Sequence, residues 1–263
     1  MFQAICLAIA LGVASSSATA SVYLEDLTWT ELRDAIAVGS TTIIIPIGGT
    51  EQNGPAMALG KHNVRVKILA GKIAEKLGHT IVAPVVSYVP EGTIEPPTAH
   101  MKFPGTITIP DAVFNQLLDS AAKSLKHAGF KTIVFIGDHG SYQSDETLVA
   151  DKLNKQWSGQ GARAYAAVEY YALSQGAYVE ALMAKGHPKS EIGTHAALAD
   201  TSLQLALAPN MVRQDLISKG PQLGAADGVY GGDPKHASTE LGQMGVDLIV
   251  DGTVTALKKF IAK

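Results

Sequence analysis

The chain alternates between short, continuous apolar runs and longer segments whose apolar residues recur at helical spacing. Residues 41–47 are the clearest run, β-branched and apolar without alternation, the pattern of a strand covered on both faces. Gly48 and Gly49 end it. Residues 80–86, 131–136 and 162–168 repeat the pattern and predict three further strands. Helical spacing marks 64–77, stopped at Gly78, and 111–128, stopped at Gly129. It also marks 145–157, 169–185, 199–207 before Pro209, and 239–260. Thr28-Trp29-Thr30-Glu31 is a capping-box pattern that opens a short amphipathic helix to Ala37. Strands in alternation with helices predict an α/β fold, three layers deep (α/β/α), around a mostly parallel central sheet. The Pro- and Gly-rich stretch 90–110 is long for a connection inside a compact domain, and loops of that length are commonly functional. A second Gly-rich stretch, 220–232, precedes the last helix. No repeat or low-complexity linker divides the chain, so 21–263 reads as a single domain.

The first twenty residues depart from this pattern. Residues 5–13 are apolar but too few to span a bilayer, and Ala18-Thr19-Ala20 before Ser21 is an A-x-A cleavage pattern. This predicts a signal peptide over 1–20 and an exported protein, periplasmic or secreted, with no membrane segment after cleavage. The n-region carries no Lys or Arg, and a buried N-terminal helix is the alternative. Cys6, the sole cysteine, lies in this segment. A cleaved chain then has no disulfide, no thiolate metal site and no catalytic cysteine. The net charge of -3 and an aromatic content of 6% argue against a nucleic-acid partner; the partner expected is a small-molecule substrate.

In open α/β sheets, ligands bind beyond the carboxyl ends of the strands. Glu51 follows the 41–47 strand, His139 follows the 131–136 strand, and His62 lies on the return from the Glu51 loop, just before its helix. Two imidazoles and a carboxylate on one rim are the nitrogen and oxygen ligand set of Zn²⁺, Mn²⁺ or Fe²⁺, and three ligands leave positions open for catalysis. Spacing alone does not separate this from ordinary loop histidines. His195, five residues before Asp200, and His100, in the long loop, are further candidates. No P-loop, no strand–GxGxxG–helix and no GxSxG elbow is present.

Ile45-Pro46-Ile47-Gly48-Gly49-Thr50-Glu51-Gln52-Asn53-Gly54-Pro55 resembles the first motif of the creatininase (creatinine amidohydrolase) family. His100-Met101-Lys102-Phe103-Pro104-Gly105-Thr106, the segment from Gly129-Phe130 to Asp138-His139-Gly140, and Gly193-Thr194-His195 through Asp200-Thr201-Ser202 to Pro209 resemble three more, and 228–234 a fifth. They fall in family order over about 190 residues.

The resemblance implies a single α/β/α domain, a homo-oligomer such as a hexamer, and a metal centre that hydrolyses C–N bonds of cyclic or linear amides. It also implies that Glu51 and His139 keep family ligand positions. Asn53 stands where a ligand histidine is usual, His62 where a bridging aspartate is usual, Asp200 where a glutamate is usual, and Ser141 where creatininase has a ligand glutamate. An imidazole gives one nitrogen to one ion, so these departures favour one cation per subunit on Glu51, His62 and His139, with two as the alternative. Zn²⁺ is the first expectation for the ion, Mn²⁺ or Fe²⁺ the others. His195 is the candidate general acid or base and Asp200 its partner or a further ligand. Asn53, His100, Ser141 and Tyr142 are candidates for substrate contact or for support of the ligands. A non-catalytic binding protein on the same fold, or a mononuclear-metal lyase, isomerase or lactonase acting on a sugar derivative, are the competing readings.

Overall fold

A computed structural model describes residues 21–262, so the signal-peptide expectation lies outside the described residues. Four parallel strands form the central sheet: β1 (Thr42–Ile47), β2 (Thr80–Val82), β3 (Thr132–Gly137) and β4 (Arg163–Ala166), in the order β2-β1-β3-β4. β1 and β3 lie in the middle, register from Thr42↔Thr132 to Ile47↔Gly137, and are buried along their whole length. Two-sided burial is what the unbroken apolar run encodes, and the period of two sorts its side chains. Ile44, Val134 and Ile136 face one layer, Ile43, Ile45, Ile133 and Phe135 the other.

Among the described residues, ten helices surround the sheet: α1 (Trp29–Ala37), α2 (Lys61–Leu77), α3 (Asp111–Ala128), α4 (Gln143–Gln156), α5 (Val168–Gln175), α6 (Ala177–Ala184), α7 (Lys189–Ile192), α8 (Leu198–Leu207), α9 (Gln214–Lys219) and α10 (Thr239–Ile261). Val66, Leu69 and Ile73 of α2 join Leu203 of α8 and Val246, Ile249 and Leu257 of α10 on the first face. Phe114 and Leu118 of α3 and Val149 and Leu153 of α4 cover the second. The three-layer architecture is therefore the one that the hydrophobic pattern predicts. The Thr28 capping box is formed, with Glu31 N–H on Thr28 Oγ1 and Thr28 N–H on Glu31 Oε2.

Several boundaries differ from the sequence expectation. β2 ends at Val82, because Pro84 brings no N–H to the ladder, and a lone Ile47↔Val86 bridge is all that continues it. The helix expected over 169–185 is two helices, broken at Gly176 with φ -110° and ψ -90°. α2 starts at Lys61, so His62 sits in its first turn rather than before it. Part of the Gly-rich stretch is a strand, β6 (Tyr230–Gly232), which pairs antiparallel with β5 (Gly193–His195) through His195↔Tyr230. That pairing carries His195 towards the carboxyl rim of the main sheet.

Candidate metal centre

Because β1 and β3 are parallel neighbours, the loops that follow them open on the same edge. Glu51 descends from the β1 loop, fully buried. Asn63 Oδ1 accepts from the Gly49 N–H at 2.9 Å, and Gln52 N–H donates to Thr106 Oγ1 at 3.1 Å. The Thr106 hydroxyl in turn donates to the His100 carbonyl at 2.8 Å, which fastens the long loop to the Glu51 loop. Gly49, at φ +147°, has a reason to be glycine: a Cβ there would meet Glu91 Oε1 at 2.6 Å. Its missing side chain is the seat of Glu91.

The two oxygens of Glu51 face different surroundings. Oε2 lies 3.1 Å from His100 Nε2 and 3.4 Å from His139 Nε2, and Glu91 Oε2 lies 3.8 Å from His139 Nε2. Ligand atoms of Glu51, Glu91, His100 and His139 all fall within 4.8 Å of one another. Oε1 faces the other way, 2.7 Å from His62 Nε2, 3.6 Å from His195 Nδ1 and 3.7 Å from Lys61 Nζ. Behind it stands a polar network. Asp138 Oδ2 contacts His62 Nδ1 at 2.5 Å and Arg65 Nε at 2.8 Å, and its Oδ1 accepts from Tyr170 at 2.6 Å. Asp200 is ion-paired with both Lys61 and Arg65 and accepts the Ala196 N–H at 2.9 Å.

Hydrogen bonding fixes the imidazole rings and assigns the tautomers of His195 and His100. The Ser141 hydroxyl donates to the Pro90 carbonyl at 2.7 Å and lies 2.9 Å from His139 Nδ1, which also accepts the Ser141 N–H at 3.2 Å, so Ser141 holds the His139 ring through two atoms. His195 Nε2–H donates to the Gln52 carbonyl at 2.9 Å, leaving the lone pair on Nδ1. Gln52 Oε1 accepts from the Gly54 N–H at 2.9 Å, so its amide nitrogen donates to His100 Nδ1 at 3.0 Å and the His100 proton sits on Nε2.

The electrostatics agree with this assignment. Burial pulls His139 down to about 4, against the opposing pull of Glu51, and burial with the Lys61 charge pulls His195 down to about 3. Both rings are neutral at pH 7. Burial pushes the Glu51 carboxyl up, but His62, His139 and Lys61 together hold it well below the usual carboxylate range. Burial and the Glu51 charge push Glu91 up to about 9. Burial likewise opposes ionisation of Asp200, and Lys61 and Arg65 outweigh it, so its pKa is held well down.

Glu51 Oε2 and both Glu91 oxygens are buried without a hydrogen-bond partner. Unpartnered buried carboxylate oxygens are costly unless something positive meets them. Together with the His139 imidazole, they form an oxygen and nitrogen set that fits a divalent cation.

The structure gathers Glu51, His139, His100, His195, His62 and Asp200 at this rim. His62 is on the opposite oxygen of Glu51 from His139 and outside the group of four. Asp200 is held by Lys61, Arg65 and the Ala196 amide. Asn53 Nδ2 donates to the Glu51 and Ala58 carbonyls at 2.9 and 3.0 Å, which pins the loop. Tyr142 is fully buried; its hydroxyl lies 2.5 Å from the Gly48 carbonyl and accepts the His139 N–H at 3.0 Å, so it supports the ligand loop from below. Sequence reasoning missed Glu91, Lys61, Arg65 and Asp138. Glu91 lies in the loop singled out for its length, and Lys61 adjoins His62, but neither carries a local mark of burial.

Comparison with known proteins gives the same picture from another direction. The family model described as creatinine amidohydrolase matches residues 25–257. Creatinine amidohydrolase of Pseudomonas putida is 24% identical over 259 residues, covering 91% of this chain and 97% of that protein. The 3-dehydro-scyllo-inosose hydrolase of Thermotoga maritima is 29% identical over 120 residues (45% of this chain, 36% of that one). The mycofactocin precursor peptide peptidase of Mycolicibacterium smegmatis is 30% identical over 125 residues (46% and 47%). Among solved structures, a creatininase superposes with TM-score 0.76 at 22% identity over 92% of this chain and 98% of that one. A creatininase variant described as Zn-Zn type superposes with TM-score 0.71 at 23% identity over 91% and 98%. The match over most of the chain makes this protein a member of the creatinine amidohydrolase family, a family of metal-dependent amidohydrolases.

Proposed function

We propose that the protein hydrolyses a C–N bond of a cyclic or linear amide with the help of one divalent cation held by Glu51, Glu91 and His139. The observation that carries this reading is the group of four side chains whose ligand atoms lie within 4.8 Å, in which three buried carboxyl oxygens have no hydrogen-bond partner. Glu91 here takes the place that the sequence reading gave to His62. When bound, such a cation polarises a scissile carbonyl and lowers the pKa of a water molecule towards neutrality. Zn²⁺ suits a carboxylate and imidazole set best, and Mn²⁺ or Fe²⁺ fits the same donors.

The chain's own residues supply the proton movements. His195, neutral at rest with its lone pair on Nδ1, is the proton acceptor. His100 carries its proton on Nε2 at the mouth of the group and is placed to deliver it to a leaving nitrogen. Ser141 fixes the His139 ring, and Thr106 and Gln52 fix His100. The side chain of Tyr230 packs 5.5 Å from the His195 ring and 6.0 Å from the His100 ring, centroid to centroid, and walls the substrate side.

The test is elemental analysis of the purified protein together with a panel of cyclic amides, linear amides and short peptides. The expected result is a bound divalent ion, chelator-sensitive hydrolysis of a panel member, and loss of both ion and turnover in His139→Ala. Hydrolysis that survives chelation, or an intact ion content in His139→Ala, overturns the reading.

A further inference from the structure

Lys61 has no part in the chemistry just described, yet it is fully buried beside the reacting groups. A lysine is almost never fully buried unless it is paired, because removing an ammonium from water costs several kcal/mol (roughly). Its position says what it pairs with. Its Nζ is 3.7 Å from Glu51 Oε1 and ion-paired with Asp200, on the side of Glu51 turned away from His139. The same side holds His62 Nε2 at 2.7 Å and His195 Nδ1 at 3.6 Å from Glu51 Oε1. Two carboxylates meet the ammonium and two imidazole nitrogens lie on the same Glu51 oxygen, donor types that otherwise gather around a cation, and Glu51 stands between the two halves of the site. One half has orphaned oxygens. In the other an ammonium already stands.

We infer that the Lys61 ammonium permanently fills the place of a second cation, so that the centre takes one divalent ion per chain. The inference rests on the metal reading given above and deepens it. Charge supports it independently of geometry. Among the described residues, Glu51, Glu91 and Asp138 are buried carboxyl groups, Asp200 is a partly buried one, and Lys61 and Arg65 are the fixed cations packed among them. With all four ionised, a single divalent ion neutralises the remainder. A second would leave two positive charges uncompensated in a buried site. A relative in this family has been solved in a form described as Zn-Zn. Lys61 emerges from the first turn of α2 directly before His62.

The experiment counts ions without reference to turnover. Metal-free protein is titrated with ¹¹³Cd²⁺ and followed by ¹¹³Cd NMR, with mass-spectrometric metal analysis after desalting. A His236→Ala background removes the exposed His236–Glu191 pair as an adventitious site. The wild-type centre should give one resonance and one ion per chain. Lys61→Met and Lys61→Ser should each give two resonances and two ions. No ion bound to wild type overturns the metal reading itself, and this inference with it. Two ions in wild type overturn the inference alone, whether or not either variant folds. A folded Lys61 variant that still binds one ion also overturns it, since the lysine would then hold no cation's place.

Discussion

At the scale of single residues, the unused buried acid is as informative as the site. Glu146 is fully buried on α4 with neither oxygen hydrogen-bonded, and burial raises its pKa well above the ordinary 4.5. The folded state therefore keeps a proton that the unfolded chain releases. The stability tied to Glu146 is complete below pH 4.5 and falls as pH rises, by about 1.4 kcal/mol per pH unit, until the folded pKa is passed. Glu146→Gln should be more stable than wild type at pH 8 and gain much less at pH 5, by urea denaturation of metal-free protein. Equal gains at both values contradict the assignment. Glu91 has the same sign, but cation binding reverses it. At pH 7 it holds a proton, being pushed up to about 9, and must give it up to become a ligand. Calorimetric titration with Zn²⁺ in buffers of different ionisation enthalpy should show about one proton released per ion. Glu91→Gln should release none and bind more weakly by at least the roughly 10–100-fold that losing even an outer partner costs.

At the scale of elements, two contacts hold the rim in place. The Tyr142 hydroxyl joins the end of β1 to the His139 loop through the Gly48 carbonyl and the His139 N–H. Tyr142→Phe leaves both without their partner in a buried place, at a cost of about 1–3 kcal/mol, readable in a urea melt. Cation affinity should fall with it, because His139 loses its anchor. The second contact is the crossing of α8 and α10. A Cβ on Gly242 would meet the Ser202 carbonyl at 1.8 Å, so the two helices touch backbone to backbone. Gly242→Ala must push them apart, costing about 1–3 kcal/mol, as overpacking of a filled core does. Asp200 rides on α8, so the same variant should loosen its hold on Lys61. A melt unchanged by Gly242→Ala would show that the helices do not close as described.

At the scale of the whole molecule, the metal and the fold share one free energy. A cation that binds only the folded chain stabilises it by about 2.7 kcal/mol at a free concentration of 100 times Kd. Chelation should accordingly lower the thermal midpoint, and His139→Ala should be insensitive to it. Export remains our proposal for the N-terminal segment. Protein recovered from a secreting host should begin at Ser21 on N-terminal sequencing; an intact Met1 start would point instead to a retained segment.

Much of this was readable in the chain. The apolar run at 41–47, the capping box at Thr28 and the Gly129 stop are local codes, written within a few neighbouring residues, and the structure follows each of them. Placing Glu51 and His139 on one rim needed one further rule, that parallel strands open their following loops on the same edge. Nothing local, however, marks Glu91 as buried, and nothing near Lys61 says that it will meet Asp200, 139 residues away. The division of the two Glu51 oxygens between the candidate cation site and the Lys61 side is likewise absent from any sequence window. Periodicity records which face of an element is covered. Which charge comes to rest against which is decided only when distant loops are packed together out of water, where an unpaired ion costs more than the core can spare.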